Sequence, residues 1–153
     1  RSEKMAKSNM ADELNKMLSK TLGKISRSEE ENVKKLGKGD LTVSEVRLIE
    51  TVAENGGCCT VSELAKLLDV TLPTVTVSVN KLEKKGYIRK NKSSSDGRSV
   101  LVSLTENGEK TNRLHEYFQE QIIFKVTGQF SDEELENLCK CLRKLNNFAE
   151  NDK

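Results

Sequence analysis

Apolar residues recur at helical spacing along most of the chain, and two helical segments follow each other closely between residues 60 and 86. Thr60 and Glu63 form a T-x-x-E capping box, which predicts the start of a short helix after Thr60. The apolar stripe of this helix consists of Leu64, Leu67 and Leu68. Asp69 and Val70 should end it, so that a tight turn separates it from the next helix.

The second helix carries suitable residues at both of its ends. Thr71 can cap its N-terminus, Pro73 fits its first turn, and Gly86 can close it in a left-handed conformation. Three of its residues are predicted to face the core: Val75, Val79 and Leu82. The outer face then carries mainly short polar side chains. Such a surface suits insertion into a DNA groove better than catalysis.

Strand spacing replaces helical spacing after Gly86. Residues 87–90 and 99–104 read as two strands, since Val100, Val102 and Leu104 alternate with Ser99, Leu101 and Ser103. The loop 91–98 between them is polar and basic. The order helix, turn, helix, hairpin predicts a winged helix-turn-helix in a mainly α protein with a small β-wing.

Long helices with one apolar side are predicted before and after this segment. The first bears Leu14, Leu18, Leu22, Ile25, Val33 and Leu36. Capping boxes at Thr42 with Glu45 and at Ser131 with Glu134 start two others. The outermost stripes either fold onto one monomer core or are covered by pairing two chains.

Four segments resemble the MarR family of winged-helix transcription regulators. They are V-T-L-P-T-V-T at 70–76, L-E-K-K-G-Y-I at 82–88, D-G-R at 96–98 and L-T-E-N-G at 104–108. The resemblance covers roughly residues 10–150, and within the family it is greatest to fatty-acid-synthesis repressors of the FabT type. It implies one domain over 1–153, with a winged helix-turn-helix at 41–104 and homodimerisation helices at 10–36 and 106–150.

The same resemblance, together with the outer face of the second helix, predicts a near-palindromic double-stranded DNA operator as the partner. Asp96 should hold the wing loop, and Arg98 should enter a minor groove. The predicted DNA-binding residues are Thr71, Pro73, Thr74, Thr76, Val77, Ser78, Asn80, Lys81, Arg89, Lys90, Lys92, Asp96 and Arg98.

The charge distribution agrees with a nucleic-acid partner. The formal net charge of the 153-residue chain is only +2, but residues 58–104 hold eight Lys/Arg against four Asp/Glu. Phosphate contacts require this local excess of positive charge. No apolar run is long enough to span a membrane, and the N-terminus has no apolar secretory segment. We therefore expect a cytoplasmic protein without a membrane partner.

Catalytic, metal and cofactor sites are not expected. Cys58, Cys59, Cys139 and Cys141 include no C-x-x-C pair, and the one histidine, His115, is far from them in sequence. We expect reduced thiols and a half-buried His115. The alternatives are a redox switch, with Cys58 and Cys59 the better candidates, and an effector pocket lined by His115. One histidine and scattered acids give no catalytic constellation.

Control by a ligand is predicted between the dimer helices and the winged domain, where family members place their effector pocket. The apolar candidates for its lining are Leu18, Leu22, Ile25, Leu48, Val52, Phe118 and Ile122. Such a lining suits a long acyl chain. A basic stripe lies about 200° around the first helix from its leucines, and it consists of Lys16, Lys20, Lys24 and Arg27. It is either a solvated helix face or a docking surface for flanking DNA or an acidic acyl carrier protein.

Three functions follow from these patterns. The first is a dimeric repressor of fatty-acid synthesis genes, with the acyl chain on a carrier protein as corepressor. The second is a MarR-type repressor that is released by a small lipophilic or phenolic ligand, or by thiol oxidation. The third is a winged-helix protein-interaction module without DNA binding.

Overall fold

The computed structural model describes the backbone of residues 2–92 and 99–151 and the side chains of 9–91 and 99–147. Helices dominate it. In chain order, the elements are α1 (Ser2–Val33), α2 (Val43–Glu54), β1 (Cys58–Thr60), α3 (Val61–Leu67), α4 (Leu72–Lys85), β2 (Ile88–Lys92), β3 (Val100–Leu104), α5 (Glu106–Thr127) and α6 (Asp132–Asn151).

The helix starts follow the predicted capping chemistry. Thr42 accepts a hydrogen bond from the Glu45 backbone, and the Glu45 carboxylate accepts one from the Thr42 backbone. The same reciprocal pair joins Thr60 to Glu63, and equivalent bonds join Ser131 to Glu134. All three predicted capping boxes are therefore confirmed. Each one satisfies backbone N–H groups that the first helical turn leaves unpaired.

The core of the winged part lies where α2, α3, α4 and the sheet meet. The fully buried side chains include Val46, Leu48, Ile49, Val52, Leu64, Val75, Val79, Leu82, Ile88 and Val102. The predicted inward face of α4 is confirmed. Leu67 is a correction, since it is 54% exposed whereas Leu64 is fully buried. Leu64, Ala65 and Leu68 are centred on one side of this seven-residue helix, and Leu67 lies about 110° away from that side.

The sheet has three antiparallel strands in the order β1-β3-β2. The predicted hairpin is present, with Ile88 opposite Leu104 and Lys92 opposite Val100. The sequence pattern missed β1, in which Cys59 pairs with Val102. Three residues are too few for an alternation signal. Val100, predicted on the apolar side, is 38% exposed, whereas Val102 on the same strand is fully buried.

The chain divides into two compact units, Arg1–His115 and Glu116–Lys153, with the boundary inside α5. The first unit contains the winged helix-turn-helix and α1. The second consists of the end of α5 and α6, and no described side chain from 116 to 147 is buried. Within the described residues, no helix is both long and apolar enough to cross a membrane. The predicted boundaries 10–36, 41–104 and 106–150 within one domain remain a prediction.

Candidate nucleic-acid interface

The helix α4 presents the candidate interface, and its N-terminus is built differently from the prediction. Thr71 occupies the N-cap position and Pro73 lies in the first turn, but the Thr71 hydroxyl makes no capping bond to the backbone. Instead the Thr71 and Thr74 hydroxyl oxygens lie 2.8 Å apart. A hydroxyl bonded to another hydroxyl leaves the backbone N–H groups of this turn open to an anion.

Most predicted contact residues of α4 lie on its exposed side. Thr71, Pro73, Thr74, Thr76, Val77, Asn80 and Lys81 are exposed, and Ser78 is half-buried. Three inward residues hold this helix in place, since Val75, Val79 and Leu82 are almost completely buried. The outer face therefore combines hydroxyls, an amide, an ammonium and apolar side chains such as Val77 on a fixed helix.

Hydrogen bonding sets what the threonines can offer to a ligand. The Thr76 hydroxyl donates to the Leu72 carbonyl oxygen at 2.8 Å, so its lone pairs remain for a donor. Only one hydrogen of the Thr71–Thr74 pair is used between the two side chains. The other hydrogen remains for an acceptor such as a phosphate oxygen.

The C-terminal end of α4 is fixed by a polar junction that the sequence patterns did not indicate. The Lys85 ammonium donates to both carboxylate oxygens of Glu45, at 2.9 and 2.8 Å, and to the Asp40 carbonyl oxygen at 2.6 Å. The Tyr87 hydroxyl donates to the Asp40 carboxylate at 2.8 Å and accepts from the Lys38 backbone at 3.1 Å. The Lys85 bonds join α4 to α2 and to the segment between α1 and α2. The Tyr87 bonds join the residue that follows Gly86 to the same segment.

Electrostatics at this junction favour the ionised carboxylate. Burial by itself raises the pKa of Glu45, but the hydrogen bonds from Lys85 and Thr42 and the Lys85 charge outweigh it and hold the pKa below its ordinary value. Burial raises the pKa of the Tyr87 hydroxyl, and the Asp40 carboxylate adds to the increase. The only sequence signal for the Glu45–Lys85 pair was the capping box, which accounts for Glu45 but does not indicate Lys85 as its partner.

Of the predicted wing residues, Arg89 is exposed on β2. Lys90 is engaged within the protein, because its ammonium lies 2.9 Å from the Glu83 carboxylate and donates to the Asn80 amide oxygen at 2.7 Å. The Lys92 side chain, Asp96 and Arg98 lie outside the described residues.

The predicted effector residues have different environments. Leu48 and Val52 are fully buried in the core of the first unit, so there they pack rather than line an open cavity. Leu18, Leu22 and Ile25 are exposed on α1. In the second unit, Phe118 is half-buried and Ile122 is exposed. The basic stripe of Lys16, Lys20, Lys24 and Arg27 is exposed along its whole length.

The histidine and the two adjacent cysteines differ in their environments. His115 is 5% exposed, and its Nδ1 lies 4.0 Å from the Glu50 carboxylate, so it is more deeply buried than expected. Cys59 is buried, whereas Cys58 is exposed. Burial, followed by the charges of Glu63 and Cys58, raises the pKa of the Cys59 thiol to about 11. Such a thiol is a poor nucleophile at neutral pH, which disfavours Cys59 as a redox sensor.

A short helix, a turn, an exposed helix fixed by its inner face, and a β-hairpin define the class of the protein: a winged helix-turn-helix protein. Residues 39–99 match the MarR family model. The structure is similar to Streptococcus pneumoniae FabT in complex with DNA, with a TM-score of 0.87 and 33% identity over 93% of this chain and 99% of that one.

Two transcriptional regulators are similar in sequence. SarZ of Staphylococcus haemolyticus is 29% identical over 74% of this chain and 76% of that protein. YfiV of Bacillus subtilis is 32% identical over 48% of this chain, and the match spans 46% of that relative, less than half its length. The chain belongs to the MarR family, and it is a DNA-binding transcriptional regulator rather than an enzyme.

Proposed function

We propose that the protein is a homodimeric repressor that binds a near-palindromic operator and whose DNA affinity rises when a long acyl chain on a carrier protein binds. The observation that carries the proposal is the similarity to FabT in complex with DNA over 93% of the chain. Because FabT-type regulators act on fatty-acid synthesis, the same class of target genes is proposed for this protein.

DNA binding is proposed to occur through the exposed face of α4. In a dimer, two such helices enter adjacent major grooves about one helical turn apart, at roughly 34–36 Å. Thr74 and Thr76 offer hydroxyls, Val77 can contact a thymine methyl, and the Lys81 ammonium can contact a phosphate. The wing is proposed to supply Arg89 and Lys92 to phosphates and Arg98 to the minor groove.

Homodimerisation is proposed from the apolar surface that each unit leaves open. On α1, Met10, Leu14 and Met17 are all more than half exposed. On α6, Leu138, Leu142 and Leu145 are each at least 40% exposed. A monomer rarely leaves such long apolar stripes in water, and a second copy can cover them.

Control by an acyl chain is proposed from chemistry at α1. Leu18, Leu22 and Ile25 offer an exposed aliphatic surface. Each buried CH₂ of a bound chain contributes about 0.8 kcal/mol, so chain length is read as affinity. The exposed stripe of Lys16, Lys20, Lys24 and Arg27 is proposed to hold the acidic carrier protein. The acyl chain strengthens repression only through a higher affinity for the DNA-binding conformation.

A titration tests this proposal. Labelled DNA from upstream of the protein's own gene is bound first, in parallel with a scrambled duplex of equal length and composition. We expect tight binding to the first duplex only, and an affinity that falls steeply with salt. Equal affinity for both duplexes contradicts sequence-specific binding and favours a protein-interaction module.

Acylated and unacylated carrier protein are then added to the complex. Only the acylated form should raise DNA affinity, and reversing Lys20 and Lys24 to Glu should abolish that increase without changing the affinity for DNA alone. If carrier protein has no effect while a small phenolic ligand or thiol oxidation releases the DNA, the rival form of control is correct.

Dimerisation has a separate test. Leu142→Lys should convert the dimer to a monomer in analytical ultracentrifugation, because it places an ammonium in the apolar stripe of α6. Asn137→Lys is the matched control on another side of the same helix. A monomeric parent protein contradicts the proposed arrangement.

A further inference from the structure

Lys90 and Glu83 form a polar contact between α4 and β2, the first strand of the hairpin. One carboxylate oxygen of Glu83 accepts a hydrogen bond from the Lys90 backbone at 3.2 Å, and the other lies 2.9 Å from the Lys90 ammonium. Both bonds cross from the last turns of α4 to β2. A carboxylate that accepts from the backbone and the side chain of one residue fixes both the position and the direction of that residue.

The Lys90 ammonium also makes a second bond to α4. It donates to the amide oxygen of Asn80 at 2.7 Å. An ammonium has only donors, so it must face the oxygen of the amide and not its nitrogen. The Asn80 NH₂ group is thereby directed away from Lys90. In this orientation Asn80 offers hydrogen-bond donors to an acceptor on a base or a phosphate.

The charge of Lys90 is therefore already compensated within the protein. Its side chain is 32% exposed and the Glu83 side chain is 38% exposed, so the pair lies at the surface between the helix and the wing. The Lys90 hydrogen bond is the main reason that the pKa of Glu83 lies below its ordinary value. Arg89, the preceding residue on the same strand, has an exposed side chain.

We propose that Glu83 and Lys90 are positioning residues that set the angle between α4 and the wing, and that Lys90 is not a phosphate contact. The inference rests on the proposed use of α4 and the wing as two DNA contacts. Groove contacts separated along the duplex are made together only if the two protein elements are held at the matching distance. The Glu83–Lys90 pair supplies that constraint at the base of the hairpin.

The two roles that Glu83 could have predict opposite effects of Glu83→Gln on operator affinity. If Glu83 were only a negative charge beside DNA, Glu83→Gln would strengthen binding by removing repulsion. If it positions the wing, Glu83→Gln weakens operator binding although the protein becomes more positive. We expect Glu83→Gln and Lys90→Met each to weaken operator binding about three- to tenfold, because a partly exposed ion pair has a modest energy.

A double-mutant cycle provides the decisive comparison. The double variant Glu83→Gln with Lys90→Met should bind about as weakly as either single variant, because both changes break the same contact. Lys90→Arg keeps the charge and the ion pair and should bind within about twofold of the parent. If the double variant loses affinity by the product of the two single-variant factors, the proposal is overturned. Stronger operator binding by Glu83→Gln than by the parent also overturns it.

The salt dependence separates positioning from phosphate contact. Arg89→Met should lower the slope of log affinity against log salt by about 0.9 per protomer, as expected for a lost phosphate contact. Lys90→Met should leave that slope unchanged. An equal loss of slope for both variants also overturns the proposal.

Thermal unfolding and circular dichroism of each variant are the controls, and they should show that differences in binding do not reflect loss of the fold. If the parent itself shows no preference for the operator, the proposed function fails and this inference fails with it. If the parent binds specifically and Glu83→Gln and Lys90→Met behave like it, the inference alone fails.

Discussion

The ammonium of Lys85, in the last turn of α4, lies 2.8 Å from the carboxylate of Glu45 near the start of α2. Glu45 is 6% exposed at its side chain, and it also completes the capping box with Thr42. One carboxylate therefore starts α2 and anchors the C-terminal end of α4. The position of α4 depends on this polar contact as well as on its buried valines.

We predict that Glu45→Gln destabilises the protein by about 1–3 kcal/mol, because it removes a charge from a buried pair and leaves Lys85 poorly compensated. Urea unfolding measures the loss. Glu54→Gln is the matched control, since Glu54 is exposed at the end of the same helix and should change stability by less than about 0.5 kcal/mol. Similar losses for both variants contradict a special role for Glu45.

The same pair predicts a dependence of stability on pH. The folded-state pKa of Glu45 is lowered, so its contribution is fully present above the ordinary pKa, about 4.3. That contribution is lost as the pH falls through the folded-state pKa. The difference in unfolding free energy between the parent and Glu45→Gln should therefore be large at neutral pH and should shrink in strong acid. A difference independent of pH is the contradicting result.

Gly108 provides a second test of packing at the start of α5. It is buried, and a Cβ placed there would overlap the Tyr87 carbonyl oxygen. That carbonyl already accepts a hydrogen bond from the Thr105 backbone at 3.0 Å, so it cannot move without losing a bond. We predict that Gly108→Ala destabilises the protein by about 1–3 kcal/mol through overpacking.

Gly23 is the matched control for this change. It lies within α1, and a Cβ there meets nothing within 4 Å. Gly23→Ala should be neutral or stabilising by up to about 1 kcal/mol, because alanine is the better helix former. Thermal unfolding of the two variants gives the comparison, and destabilisation of both to the same degree contradicts the packing argument.

The winged helix-turn-helix was predictable because its signals are local. Capping boxes, Pro73, Gly86 and the spacing of Val75, Val79 and Leu82 each determine structure within a few residues, and the structure confirms them. The resemblance in four segments identified the family correctly. The DNA-binding residues predicted on α4 are exposed or half-buried, although this placement does not test their contacts.

The missed features depend on contacts between different elements rather than on signals within one element. β1 has only three residues and forms by pairing with β3, about 40 residues later. Lys85 and Glu45 are 40 residues apart, and Lys90 meets Asn80 across the junction of helix and strand. The spacing of charged residues along a helix does not indicate which residue of another element each one pairs with. The charge of Lys90 alone therefore predicts a phosphate contact and does not indicate its partners Asn80 and Glu83.

The thiols should differ in reactivity according to burial. Because the pKa of Cys59 is raised to about 11, it is almost entirely protonated at pH 8, and its side chain is also buried. We predict that Cys58→Ser removes one rapidly alkylated thiol, whereas Cys59→Ser leaves the number of rapidly alkylated thiols unchanged. Mass spectrometry after brief iodoacetamide treatment measures both. Rapid alkylation of Cys59 in the folded protein contradicts the structure around it.

The last prediction concerns Arg98, which follows β2 and precedes β3 in the sequence and lies outside the described residues. As a minor-groove contact, it should favour A·T-rich flanks, where a narrow groove concentrates negative potential. Arg98→Ala should weaken operator binding by about 1–3 kcal/mol without changing thermal stability or the dimer. The loss should be smaller on an operator whose flanks are changed to G·C pairs. Arg89→Ala is the control, because loss of a phosphate contact weakens binding to both operators equally. Parental affinity for Arg98→Ala, or an identical loss on both operators, contradicts the minor-groove assignment.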